Sequence, residues 1–95
     1  MSRSRLVFHE KVIEPDGGII EVKIWAVPVT SHTPHGFKYS LVYVRNGERA
    51  VGYDNHERKG DHRHIKGTES DYKFKSIDQL FEDFYKDIRR IRDEG

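Results

Sequence analysis

The sequence predicts an α+β domain: an antiparallel sheet of about four to five strands with one C-terminal helix packed on one face. Three observations predict it. Apolar residues alternate at period two through the first half of the chain, as in strands with one buried face. Asn46-Gly47 separates two such runs and is the favoured two-residue hairpin turn, because both of its positions need φ > 0. From Ser76 onward the apolar spacing changes to three and four, the period of a helix with one apolar stripe. Strands first and a helix last is the α+β order.

The elements follow in turn. Arg5 to Ile13 reads as a first strand, with Leu6, Phe8 and Val12 on one face and Glu10 interrupting. Glu14-Pro15-Asp16-Gly17-Gly18 is a hairpin turn, since proline fixes φ and glycine tolerates φ > 0. Ile19 to Val27 is a second strand; Ile20, Val22, Ile24 and Ala26 form its apolar face and Trp25 lies opposite. Pro28 ends it. Val29 to Gly36 is a loop rich in turn formers, carrying His32 and His35. Phe37 to Arg45 is the third strand, with Phe37, Tyr39, Leu41 and Tyr43 on one face. Glu48 to Asp54 returns as the fourth and delivers Asp54 and Asn55 to a strand end, a rigid place for a functional group. Asp61 to Ile65 is a short fifth strand, Gly67 to Asp71 a polar turn, and Tyr72 to Phe74 a short extended piece. Ser76 with Gln79 fits a capping box. Ile77, Leu80, Phe81, Phe84, Ile88 and Ile91 form the helix stripe, with acidic residues early and basic residues late, as the helix dipole favours.

Composition narrows the function classes. The 95 residues suit one domain, near the lower size at which a chain folds alone. The chain has no cysteine, which excludes disulfides and thiolate metal sites. MSRSRLVFHE lacks the apolar run of a signal peptide, and no segment approaches a transmembrane length; a cytoplasmic protein with no membrane partner is expected. Seventeen basic and 16 acidic residues leave a net charge of +1, which favours no partner by itself. Local charge says more: His56 to Lys66 holds four Lys/Arg against two acidic residues.

That stretch, GYDNHERKGDHRHIK from Gly52 to Lys66, concentrates the residues capable of chemistry. His62 and His64 alternate along a strand and so share a face. Such a pair serves either a metal site or acid–base catalysis. A metal-dependent nuclease would draw on Asp54, His56, Asp61, His62 and His64. The interleaved cations oppose that reading, because they repel a metal ion and suit a phosphodiester. In a metal-independent ribonuclease, one imidazole removes the 2′-OH proton, another protonates the leaving oxygen, and a cation stabilises the phosphorane. His62 and His64 are the candidate acid and base, with Asp54 orienting a histidine as a triad carboxylate does. Arg58, Lys59, Arg63 and Lys66 are the candidate phosphate contacts, though strand alternation turns Arg63 away from the two histidines. No cofactor is implied. The alternative is a non-catalytic module whose loop grips RNA or a protein. Bland readings exist for each group: exposed histidines on a polar face, Asp54 and Asn55 as turn formers, and tyrosines as core.

The succession PHGFKYSLVYVRNGERAVGYDNHERKGDHRHIKG, followed by YKFKSIDQLFEDFYKDIRRI, resembles the TumE family of toxins from prokaryotic toxin–antitoxin pairs. The similarity is densest over Tyr39, Ser40, Leu41, Tyr43, Arg45, Gly52 to Asn55 and Lys59 to His64. The resemblance implies a small cytoplasmic toxin made with a helix-turn-helix antitoxin, and a ribonuclease is the expectation for a toxin of this size. It assigns no roles to individual residues. Exposed edge strands would also permit a homodimer.

Overall fold

The computed structural model describes residues 4–55 and 60–94. The strands are β1 (Arg5–Ile13), β2 (Ile19–Ala26), β3 (Phe37–Arg45), β4 (Glu48–Asp54), β5 (His62–Ile65) and β6 (Thr68–Asp71), followed by helix α1 (Ile77–Asp93). They form one sheet in the order β1-β2-β3-β4-β5-β6. Each neighbouring pair is antiparallel, so the chain is a meander that ends in a helix.

The sheet has one strand beyond the expected range. Thr68–Asp71, expected as a turn, pairs with β5 instead, and Tyr72 to Phe74 lies outside the sheet. The turn that produces β6 is Lys66-Gly67, where both residues have positive φ, 49° and 85°. It repeats the conformation of Asn46-Gly47, at 54° and 76°, without the asparagine that advertises the first hairpin. β6 is Thr-Glu-Ser-Asp and wholly exposed, so it carries no apolar alternation by which to recognise it.

One face of the sheet holds the core. Val22, Ile24, Tyr39, Leu41, Tyr43, Val51 and Tyr53 are buried there beneath Leu80, Phe84, Ile88 and Ile91 of α1. Ser76 has an extended backbone and accepts a hydrogen bond from the Gln79 N–H, which caps the helix. The reciprocal half of the capping box is not made, because the Gln79 side chain donates to Asp83 at 2.9 Å. At the other end Arg45 donates to the Ile91 carbonyl, satisfying one carbonyl left open by the helix terminus.

Two bulges change which residues share a face. In β1 the register shifts between Leu6 and Phe8, so that Leu6 pairs with Trp25 and Phe8 with Ile24. Trp25 and Ile24 are adjacent and point to opposite faces. Leu6 and Phe8 are therefore separated, not aligned as strict alternation implies; Phe8 alone reaches the helix, meeting Phe81 edge-on at 5.5 Å. In β4 the pairing moves from Val44↔Arg49 to Tyr43↔Val51. Ala50 is the additional residue, and it packs against the core beside Val51. Arg49 and Gly52 consequently lie on one face, opposite Val44 and Val42.

Candidate functional site

Strand β5 sorts its side chains by parity. Tyr53 pairs with Arg63, whereas Asp54 pairs with His62 and Gly52 with His64. Tyr53 is in the core, so Arg63 points toward α1. His62 and His64 point to the face that α1 does not cover, as the alternation predicts.

On this open face the residues form two cross-strand rows. One runs Asp71, His62, Asp54, Ser40, Lys23; the other runs Glu69, His64, Gly52, Val42, Glu21. His64 Nε2 lies 3.4 Å from Asp54 Oδ2 and 3.5 Å from Glu69 Oε1. His62 Nδ1 lies 3.9 Å from Asp71 Oδ1. The structure thus brings together three of the sequence-predicted residues: Asp54 is diagonal to His64 and directly opposite His62. A carboxylate on an imidazole nitrogen fixes the ring orientation and supports the charged form when it arises. Residues two apart on a strand are about 7 Å apart along the chain.

The helix face carries a different polar assembly. Arg63 donates through Nε and Nη2 to Asp87 Oδ2 and Oδ1, at 2.9 and 2.7 Å. The Tyr53 hydroxyl donates to the same Asp87 Oδ2 and accepts from Arg63 Nε at 3.0 Å. Asp87 is buried, and the bidentate fork neutralises it. The carboxylate also holds the Arg63 guanidinium more firmly protonated than usual. Burial, reinforced by the hydrogen bond to Asp87, pushes the Tyr53 phenol well above its ordinary pKa. Nearby, Tyr72 donates to Asp83 at 2.5 Å, and burial raises its phenol likewise. Arg63, a candidate phosphate contact, is thus engaged with Asp87 on the side away from the histidines.

Asp61 also separates from the histidine pair. It lies 3.2 Å from His35 Nε2. His35 stacks on Phe74 with ring centroids 4.0 Å apart, and its Nδ1 accepts from the Phe37 N–H. That acceptor role places the ring proton on Nε2, facing Asp61. Burial raises the Tyr39 phenol, and the adjacent Asp61 charge adds to the shift. Asn55 serves the strand end: its Oδ1 accepts from the Tyr39 N–H and its Nδ2 donates to the Phe37 carbonyl. The side chain continues the ladder one step past β4.

Of the remaining candidates, Lys66 is exposed in the β5–β6 turn and pairs with Glu94 at 2.7 Å. His56, Arg58 and Lys59 lie outside the described residues. Among the described residues, no three His, Asp or Glu side chains gather as a metal site, and no helix is long and apolar enough to cross a membrane. Asp87 escaped the sequence reading, although a signal existed. Leu80, Phe84, Asp87 and Ile91 recur at spacings of four, three and four, so an acid stands on the buried stripe and needs a cation.

Comparison with known proteins agrees with the resemblance seen in the residues. A family model described as Toxin TumE matches residues 1–92. No curated protein and no solved structure matches the chain.

Proposed function

This chain belongs to the TumE toxin family, and on that premise we propose that it is a metal-independent endoribonuclease acting through the open face of β4 and β5. Membership makes it the toxin component of a toxin–antitoxin system. The observation that supports catalysis is the placement of His62 and His64 together on the face away from α1, with the Asp54 carboxylate 3.4 Å from His64.

In this reading His64, oriented by Asp54, takes the proton from a ribose 2′-OH. The freed oxygen attacks phosphorus, the bond from phosphorus to the 5′-oxygen breaks, and His62 protonates that oxygen. The products are a 2′,3′-cyclic phosphate and a 5′-hydroxyl end. Arg58 and Lys59, beside the pair in sequence, and Lys66 at the end of β5 are assigned to the RNA backbone. Arg63 contributes by locking β5 to α1 and thereby fixing the strand that carries both histidines. The proposed partners are RNA and a helix-turn-helix antitoxin that silences the toxin in the cytoplasm. A homodimer would form at the outer edges β1 and β6, where strand hydrogen-bonding groups are unpaired across the sheet; sedimentation of the purified chain decides this.

The test is cleavage of single-stranded RNA by purified protein in EDTA. Cleavage that persists in EDTA and falls by roughly 10²–10⁴-fold in His62→Ala and His64→Ala, with RNA binding retained, supports the reading. Cleavage that requires a divalent ion returns the metal-dependent alternative. Binding without cleavage returns the non-catalytic one.

A further inference from the structure

Gly52 occupies the middle of β4, where glycine weakens a strand and signals close approach by another group. Its backbone does not explain it: Gly52 is not among the residues with positive φ. The approaching group is Arg49. A Cβ built on Gly52 would stand 3.1 Å from Arg49 Cδ, 3.3 Å from Nε and 3.6 Å from Cζ. The Arg49 side chain from Cδ to Cζ therefore passes over Gly52, which is buried although α1 is on the other side of the sheet. The Ala50 bulge makes this possible by bringing Arg49 onto the open face. Gly52 is paired with His64, and directly paired positions have Cβ atoms about 5 Å apart. Among the described residues Arg49 has no ion-pair partner, in contrast to Arg63, Lys66 and Arg92.

We propose that Arg49, seated in the notch left by Gly52, is the anion-binding residue of the open face and contacts the phosphate of an RNA backbone beside His64. The inference rests on the ribonuclease reading for its substrate, but the placement of a phosphate group needs only the geometry. A guanidinium whose stem rests on Gly52 presents its N–H fork to a phosphate with less side-chain entropy to lose than a free arginine. It also supplies a cation on the face that carries His64, from which Arg63 is turned away, for the charge that develops on a phosphorane.

The experiment pairs binding with cleavage. The binding probe is a 2′-O-methyl oligoribonucleotide, which cannot be cleaved by 2′-OH attack; the cleavage probe is the matching RNA. Arg49→Ala is expected to weaken binding of the probe about tenfold and to slow cleavage roughly 100-fold, with its unfolding midpoint unchanged; Arg49→Lys recovers part of the binding. Gly52→Val fills the notch with a residue suited to a strand. It is expected to reproduce the loss in the wild-type background and to add nothing in Arg49→Ala, a non-additivity that a merely structural arginine would not produce. If Arg49→Ala binds and cleaves like wild type, the inference is overturned while the ribonuclease reading stands. If the wild type never cleaves RNA but binds the probe through Arg49, the anion site stands and the ribonuclease reading falls. If neither binding nor cleavage depends on Arg49, the site is not there.

Discussion

The two faces of β5 use the same residue types to opposite ends. Toward α1, Arg63 and Asp87 meet in a bidentate pair joined by Tyr53, and every charge has its complement within 3 Å. Away from α1, His62 and His64 stand at 3.4–3.9 Å from carboxylates, and Arg49 rests on a glycine without an ion pair among the described residues. The first arrangement is what burial demands, because an unpaired charge beneath a helix costs several kcal/mol. The second sets carboxylates beside the imidazoles at longer range. One strand thus separates the buried Arg63–Asp87 pair from the histidine row by alternation alone.

The largest effect that would break this contrast is on the open face. His64→Ala and His62→Ala should each cost roughly 10²–10⁴-fold in RNA cleavage while shifting unfolding stability by less than about 1 kcal/mol. A large loss of stability in urea would place these histidines in the supporting half. A pH–rate profile adds a second check, since an acid and a base acting together give a bell-shaped curve.

Next in size is Arg63→Met, which leaves the buried Asp87 carboxylate beneath the helix without its cation. It should destabilise the fold by about 3 kcal/mol, read from the urea midpoint. Arg63→Met with Asp87→Ala should cost less than the two single changes added together, because the second change removes the orphaned charge. A double variant that costs the sum of the two single changes would show that the pair holds nothing together.

A smaller effect separates the faces by pH. Burial raises the Tyr53 and Tyr72 phenols. A phenol with a raised folded-state pKa adds stability that is complete below about pH 10, where the unfolded phenol titrates, and is lost as pH rises beyond it. Tyrosinate absorbance from these residues should therefore appear together with the loss of helical circular dichroism. Tyr53→Phe should weaken stability near neutral pH by about 1 kcal/mol and shift alkaline unfolding upward. Ionisation of both phenols in a folded protein would contradict the assignment.

The smallest effect belongs to Lys66, whose pairing with Glu94 is exposed. Lys66→Ala should change stability by no more than about 0.5 kcal/mol. Its role, as assigned, is on RNA: a slightly weaker affinity and a shallower salt dependence, measured with the uncleavable oligonucleotide.

Much of the molecule was legible before any coordinates. Alternation identified the core faces of β2 and β3, Asn46-Gly47 located one hairpin, and the stripe from Leu80 to Ile91 located the helix. The shared face of His62 and His64 followed from their spacing. These features are written locally, in side-chain period and in the φ preferences of turn residues, so a single chain segment suffices to read them. Other features depended on segments distant in sequence. The β5–β6 hairpin rests on a lysine with positive φ and a strand with no apolar residue, and neither has a compositional signature. Asp54 meets His64, and His35 meets Asp61, only through strand pairing and loop placement. Arg63 finds Asp87 across 24 residues because α1 crosses β4 and β5 at that level. Arg49 reaches the histidine face because one bulged residue, Ala50, reverses the parity that alternation assigns. Period and turn chemistry belong to the sequence itself; register, bulges and helix placement are settled only when the whole sheet closes on its core, and they decide which charged and polar groups meet.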